Sequence, residues 1–129
     1  MYKRQLLNLR GDPNDQGRDL SDVVADVSKA NDESKELAIT FLRNAGKSAE
    51  WVAAVDSRYK LILSVNDVPW LFDAKEDPDE LHNFYGKPET RAVSKRLGEA
   101  LREYGIANKD PHLSHKKIAA ALDDVTSVK

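Results

Sequence analysis

The residues in this 129-residue chain that could do chemistry are three histidines, several paired carboxylates and no cysteine at all. His112 and His115 stand three apart, close to metal-ligand spacing. No third ligand of matching pattern follows, so a surface loop is the better reading. Asp77, Asp79 and Glu80 could suit a Ca²⁺ loop, but the glycine and closing Glu of a calcium hand are absent, and helix capping explains all three. Asp73 with Asp77 could pair as acid and base. Neither is flanked by an apolar groove that would perturb its pKa, which favours a turn. Asp123–Asp124 reads as a solvated face. The absence of cysteine excludes a disulfide, a thiolate zinc site and a Cys nucleophile.

The elements that must position these groups centre on Tyr59 to Asn83. Tyr59, Leu61, Leu63 and Val65 alternate with Lys60, Ile62 and Ser64, as a half-buried strand requires. Asn66–Asp67 reads as a two-residue turn. Val68 to Asp73 returns as the partner strand, with Trp70 and Phe72 on one face. Pro69 lacks an N–H, so this strand belongs at an edge or starts past the proline. Asp77-Pro78-Asp79-Glu80 predicts a helix start: a capping Asp, a proline at the first helical position and a capping-box Glu.

Upstream, Leu37 to Arg43 alternates as a strand, Asn44 to Ser48 is a loop, and Trp51 to Val55 is a second strand turned by Ser57–Arg58. Four strands with short links predict an antiparallel meander. Pro88 to Tyr104 is the best helix. Val93, Leu97, Leu101 and Tyr104 form its stripe, Ala100 lies beside it, and Gly105 is placed to stop it. Ser114 to Val128 predicts a weaker helix with Ile118, Leu122 and Val125 on one face and a frayed end. Ser28 to Glu36 reads as a polar loop.

Composition is that of a globular chain, 40% hydrophobic and 33% charged. The net charge of −2 with mixed signs argues against nucleic acid or an anionic membrane as partner. No apolar run reaches membrane-spanning length.

Tyr59-Lys60-Leu61-Ile62, then Leu71-Phe72-Asp73, then Asp77-Pro78-Asp79-Glu80 and Asn83 together resemble the tail of type I sulfatases, the formylglycine-dependent sulfate ester hydrolases of the alkaline-phosphatase-like superfamily. Ala74 stands where that pattern usually has Leu. Leu6 to Val24, with Gly11, Pro13 and Gly17-Arg18-Asp19-Leu20, is similar to the segment that closes the family's catalytic domain. In the same resemblance the Pro88 to Tyr104 helix is the one laid across the small C-terminal sheet. Met1 to Gln5 resembles translated sequencing-adapter sequence.

The resemblance implies an α+β fold: a four-stranded antiparallel sheet with a long C-terminal helix on one face, preceded by a helical stub of a missing α/β catalytic domain. It divides the chain into an adapter-like 1–5, the end of the catalytic domain at 6–30, the C-terminal subdomain at 31–112 and a weakly helical tail at 113–129. It implies a sulfuric ester hydrolase acting on a sulfated carbohydrate or small molecule, with Ca²⁺ and formylglycine in the intact enzyme and the N-terminal catalytic domain as partner. The family is often periplasmic, secreted or lysosomal, and nothing in the chain selects a compartment.

Formylglycine is made from Cys or Ser in a C/S-x-P-x-R motif, and none of the serines has proline two positions on. No catalytic or metal residue therefore carries over, and the chain alone is expected to be an inert, N-terminally truncated fragment. Arg43, Trp51 and Arg58 are the substrate-binding candidates, at strand ends or loops of a subdomain that in the family packs beside the cleft. An anionic sulfated substrate favours arginine there. Trp51 and Trp70 read first as sheet anchors. Rival readings are a phosphonate or phosphodiester hydrolase tail, a free-standing interaction module and a small hydrolase in its own right.

Overall fold

The computed structural model describes residues 39–46 and 48–127, which lie in a unit spanning Leu37–Lys129. The expected strand at Leu37 is described only from its later part. The helical stub and polar loop upstream, and residues 1–5, lie outside the described residues.

Four strands form one sheet in the order β1-β2-β3-β4: β1 (Thr40–Arg43), β2 (Trp51–Val55), β3 (Tyr59–Ser64) and β4 (Trp70–Asp73). Every neighbouring pair is antiparallel, so the predicted meander is present. The register puts Phe41, Ala54 and Leu61 in line with Leu71. Alternation then sends Val52, Ala54, Leu61, Leu63 and Leu71 inward. The opposite face carries Trp51, Ile62, Trp70 and Phe72, all half-buried, and the Trp70 and Phe72 rings lie 5.6 Å apart. Both tryptophans are thus sheet-surface residues. β4 starts one residue past Pro69 and is an edge strand, as the missing N–H requires.

Two helices cover the inner face. A 3-10 turn at Pro88–Thr90 leads into α1 (Arg91–Asn108), and α2 (Lys116–Ser127) follows. Leu97 and Leu101 of α1 and Ile118, Leu122 and Val125 of α2 join the sheet residues in one core. Removing a leucine this deep costs about 2–5 kcal/mol, so each is a determinant of the fold. The periodicity located α2 and its apolar face correctly. That face is part of the core, and α2 packs against both α1 and β3.

Three local expectations are corrected. Asp77 does not start a helix. The Glu80 amide bonds back to Asp77 O, and Glu80 then turns left-handed at φ 54, which ends any helical path. The Asp77 carboxylate instead accepts from the His82 amide at 2.7 Å, while Glu80 pairs with Lys60. Asn66–Asp67 is not a two-residue turn: residues 65–69 form the link, and Asp67 accepts from the Val68 amide and from Trp70 Nε1. Gly105 does not end α1. The helix runs one turn further to a left-handed Lys109, φ 50. Gly105 is needed for close approach, because a Cβ there would sit 2.7 Å from Leu113 Cδ1.

Asn83, the last residue of the Asp77 segment's pattern, seals the sheet edge. Its Oδ1 accepts from the Leu71 and Tyr85 amides, and its Nδ2 donates to Pro69 O. One side chain thereby satisfies backbone groups that an edge strand leaves open.

Candidate functional site at the two strand-end arginines

The three predicted side chains do not converge. Arg43 ends β1 opposite Val52, whereas Arg58 sits in the β2–β3 turn at the other end of the sheet. Four residues of strand separate those levels, roughly 13 Å. Trp51, next to Val52, points to the opposite face from Arg43 by alternation.

Arg58 is engaged. Its Nε donates to Asp73 Oδ1 at 2.8 Å and its Nη2 to Asp73 Oδ2 at 2.6 Å, a two-pronged pair. Glu76 adds a second carboxylate at 3.7 Å. Asp73 is 3% exposed and also accepts from the Lys75 and Glu76 amides. The Arg58 guanidinium, burial working against it, and those amides together hold the Asp73 carboxyl at about 2. The same pair raises Arg58. Asp73 is the last residue of β4 and its carboxylate caps the turn that follows, but the expectation that nothing perturbs its pKa is overturned: it sits in a charge clamp at the end of the sheet that carries the β2–β3 turn. Asp56 completes that end: its carboxylate takes the Arg58 and Tyr59 amides and pairs with Arg96 of α1. Burial pushes Asp56 up, but those bonds outweigh it and leave it lowered.

Arg43 lies in a different setting. Its Nη1 is 2.7 Å from His112 Nδ1, and its Nε is 3.4 Å from Asp110 Oδ2. Asp110 also accepts from the His112 amide at 2.8 Å. His112 is 1% exposed, which overturns its placement in a surface loop. The segment after α1 folds under β1, and the ring fills the space there. A guanidinium can only donate, so Nδ1 is the acceptor and the ring proton sits on Nε2. His112 Nε2 is buried with no hydrogen-bond partner among the described residues. A donor left so costs about 1–3 kcal/mol.

Arg43 forms one wall of an open groove of about 510 Å³, lined also by Asn44, Ala45, Gly46, Pro111 and His112. Asn44 shapes that loop: its Oδ1 accepts from the Glu50 and Trp51 amides, and its Nδ2 donates to Ser48 O. Sequence reasoning found Arg43 but missed Asp110 and His112. His112 lies 69 positions from Arg43, and no local signal announces so distant a partner.

The described residues contain no group of three His, Asp or Glu side chains able to hold a metal ion. The whole sequence has no cysteine, and no serine followed by the x-P-x-R pattern. The described residues therefore fit no Ca²⁺ and the sequence carries no formylglycine motif, and no chemical step is assigned to them.

Comparison with known proteins agrees with this geometry. An uncharacterized protein of Haemophilus influenzae is 34% identical over 44 residues, which are 34% of this chain and 23% of that protein. The structure of BT4656 in complex with its substrate D-glucosamine-2-N,6-O-disulfate matches with a TM-score of 0.70 at 23% identity, over 89% of this chain and 24% of that one. That likeness bears on the fold. The chain spans about a quarter of the length of either relative. The profile of the family described as N-sulphoglucosamine sulphohydrolase, C-terminal, matches residues 5–107, most of the chain. The protein belongs to that sulphohydrolase C-terminal family.

Proposed function

We propose that this chain is the C-terminal portion of a sulfatase, in which it supports a catalytic domain and shapes one side of the substrate cleft. The observation that carries the reading is the family match over residues 5–107, joined to the sheet-and-helix unit those residues build. The substrate class is a sulfate monoester on a carbohydrate or related small molecule. The partner is the catalytic domain of the same polypeptide, which holds the formylglycine and the Ca²⁺. Residues 6–30 are read as the end of that domain, 31–112 as the C-terminal subdomain and 113–129 as its tail, with α2 closing the core.

Arg43, Trp51 and Arg58 are the side chains proposed to serve the cleft, with unequal claims. Arg58 acts through the Asp73 clamp that fixes the sheet end. Trp51 offers a flat apolar surface. Arg43 lines a groove.

The chain by itself is inert in this reading. The test is turnover of an aryl sulfate with Ca²⁺ present, run beside sequencing of the DNA upstream of Met1. No turnover, and an upstream in-frame C/S-x-P-x-R motif, are the expected results. Reproducible metal-dependent hydrolysis by the 129-residue chain would sink the inertness, and an upstream frame without the motif would sink the sulfatase assignment.

A further inference from the structure

A side chain that can change its charge near neutral pH joins the sheet to the link between the two helices. Arg43, the last residue of β1, donates from Nη1 to His112 Nδ1 at 2.7 Å, across 69 positions of sequence. His112 belongs to the short link between α1 and α2 and is 1% exposed. The bond needs a lone pair on Nδ1, so it exists only while that nitrogen is unprotonated. A proton placed there removes the acceptor and sets two cations side by side at a buried ring.

The same link holds the group that can receive the protonated ring. Asp110 Oδ1 is 3.7 Å from His112 Nδ1, too far for a hydrogen bond and near enough to form one after a shift of about 1 Å. Asp110 is itself buried, accepts from the His112 amide at 2.8 Å and stands 3.4 Å from Arg43 Nε. Among the described residues, Arg43 and Asp110 are the charged groups paired with the ring. α1 brings Tyr104, an uncharged phenol, to the small cavity that Arg43 and Asp110 also line. On the α2 side of the link, His115 is exposed, and its amide donates to His112 O at 3.1 Å. The groove residues Asn44, Ala45, Gly46 and Pro111 carry no charge.

We propose that Arg43, His112 and Asp110 form a pH-sensitive latch on the link between α1 and α2. With the ring neutral, Arg43 holds the link to the end of β1. With Nδ1 protonated, the ring turns to Asp110, which lies two residues before it, so both ends of the new bond belong to the link and residues 110–115 loosen from the sheet. His112 Nε2 has no hydrogen-bond partner among the described residues, so no second bond opposes the turn. The tie is therefore complete on the basic side of the histidine range and is lost as pH falls. The latch stands on these contacts and does not depend on the sulfatase reading.

The test is nuclear magnetic resonance of the full 129-residue chain between about pH 8 and about pH 5. It reads the ring nitrogens of His82, His112 and His115, the Arg43 and Arg58 Nε–H signals and the backbone amides. At the basic end His112 should be the Nε2–H tautomer. As its ring takes a proton, Arg43 Nε–H and the His112 and His115 amides should move with the same midpoint, with Arg58 unmoved. Protection of those two amides from hydrogen exchange should fall by about tenfold, as for the loss of one hydrogen bond to a charged group. His115→Asn should keep the whole response, and His112→Asn, which cannot take the proton, should abolish it. An Nδ1–H tautomer at about pH 8, or a ring that stays neutral down to about pH 5, would overturn the proposal. So would an Arg43 signal that stays still or follows a midpoint other than that of His112. A response that survives in a folded His112→Asn variant, or vanishes in His115→Asn, overturns it as well. Should His112→Asn fail to fold, the tautomer and the shared midpoint in the unmodified chain decide the matter.

Discussion

Gly98 lies in the middle of α1 and faces α2. A Cβ added there would stand 2.8 Å from Val125 Cγ1 and 3.1 Å from Thr126 Cγ2. Two effects compete in Gly98→Ala. Glycine inside a helix is about 1 kcal/mol worse than alanine, so the substitution gains that much locally. Overpacking a filled contact costs about 1–3 kcal/mol. Val125 is 1% exposed and β-branched, with essentially one side-chain rotamer in a helix, so it cannot swing aside. The cost should win, and Gly98→Ala should destabilise by about 1 kcal/mol net. In a unit of this size that lowers Tm by roughly 4–8 °C.

A double-mutant cycle isolates the contact. Val125→Ala alone removes two buried carbons and should cost about 1–3 kcal/mol. In the double variant the methyl added at position 98 enters the space Val125 vacated, and the helix-propensity gain survives without the clash. The double should therefore be about 1 kcal/mol more stable than Val125→Ala alone, a coupling of about 2 kcal/mol. Thermal and urea unfolding of the four chains, followed by circular dichroism, measures it. If Gly98→Ala raised Tm equally in both backgrounds, the close approach of α1 and α2 would be wrong.

Two further outcomes follow from the sheet end and the helix exit. Asp73→Asn should destabilise the unit, since it removes the charge that the half-exposed Arg58 grips with two bonds and that the Lys75 and Glu76 amides also meet. The folded-state carboxyl sits at about 2, below its ordinary 3.8. The stabilisation it supplies is thus complete above about 3.8 and fades as pH falls from there toward 2; a stability–pH curve of Asp73→Asn should be flatter across that window. Lys109→Gly should raise stability by about 0.5–1 kcal/mol in the same unfolding assay, because Lys109 holds φ 50 at the α1 exit, where glycine carries no Cβ penalty. A fall in stability there would mean that the lysine side chain contributes more than its backbone conformation costs.

The strands are legible because their signal is short-range. Alternation along Tyr59 to Ser64 states which side chains go inward, and short links leave an antiparallel meander as the simplest arrangement. The expected helix start at Asp77 fails for the same short-range reason. A side chain that caps a helix also closes a turn, and the two part only at Glu80, whose left-handed φ no residue-type rule anticipates. Arg58 with Asp73 falls between these cases. The register pairs Tyr59 with Asp73 and so brings Arg58 near, but alternation alone would turn its side chain to the other face, so the clamp also needs the turn that Asp56 fixes before β3.

The Arg43 cluster does not follow from any pairing of neighbours. It depends on how far α1 runs before the chain turns back. A helix ending at Tyr104, with Gly105 as its stop, is four residues shorter than the one observed. At about 1.5 Å per residue the turn would come about 6 Å earlier along the axis, more than twice the 2.7 Å that separates Arg43 from His112. Asp110 and His112 would then miss the end of β1, and Arg43 would be an ordinary surface arginine. Gly105 lies in that last part of α1, where a Cβ would stand 2.7 Å from Leu113 Cδ1 and 3.1 Å from its Cβ, so a side chain there would require Leu113 to shift. A glycine that local rules assign to stopping the helix lies inside it, packed against Leu113, and the stop falls four residues later at Lys109.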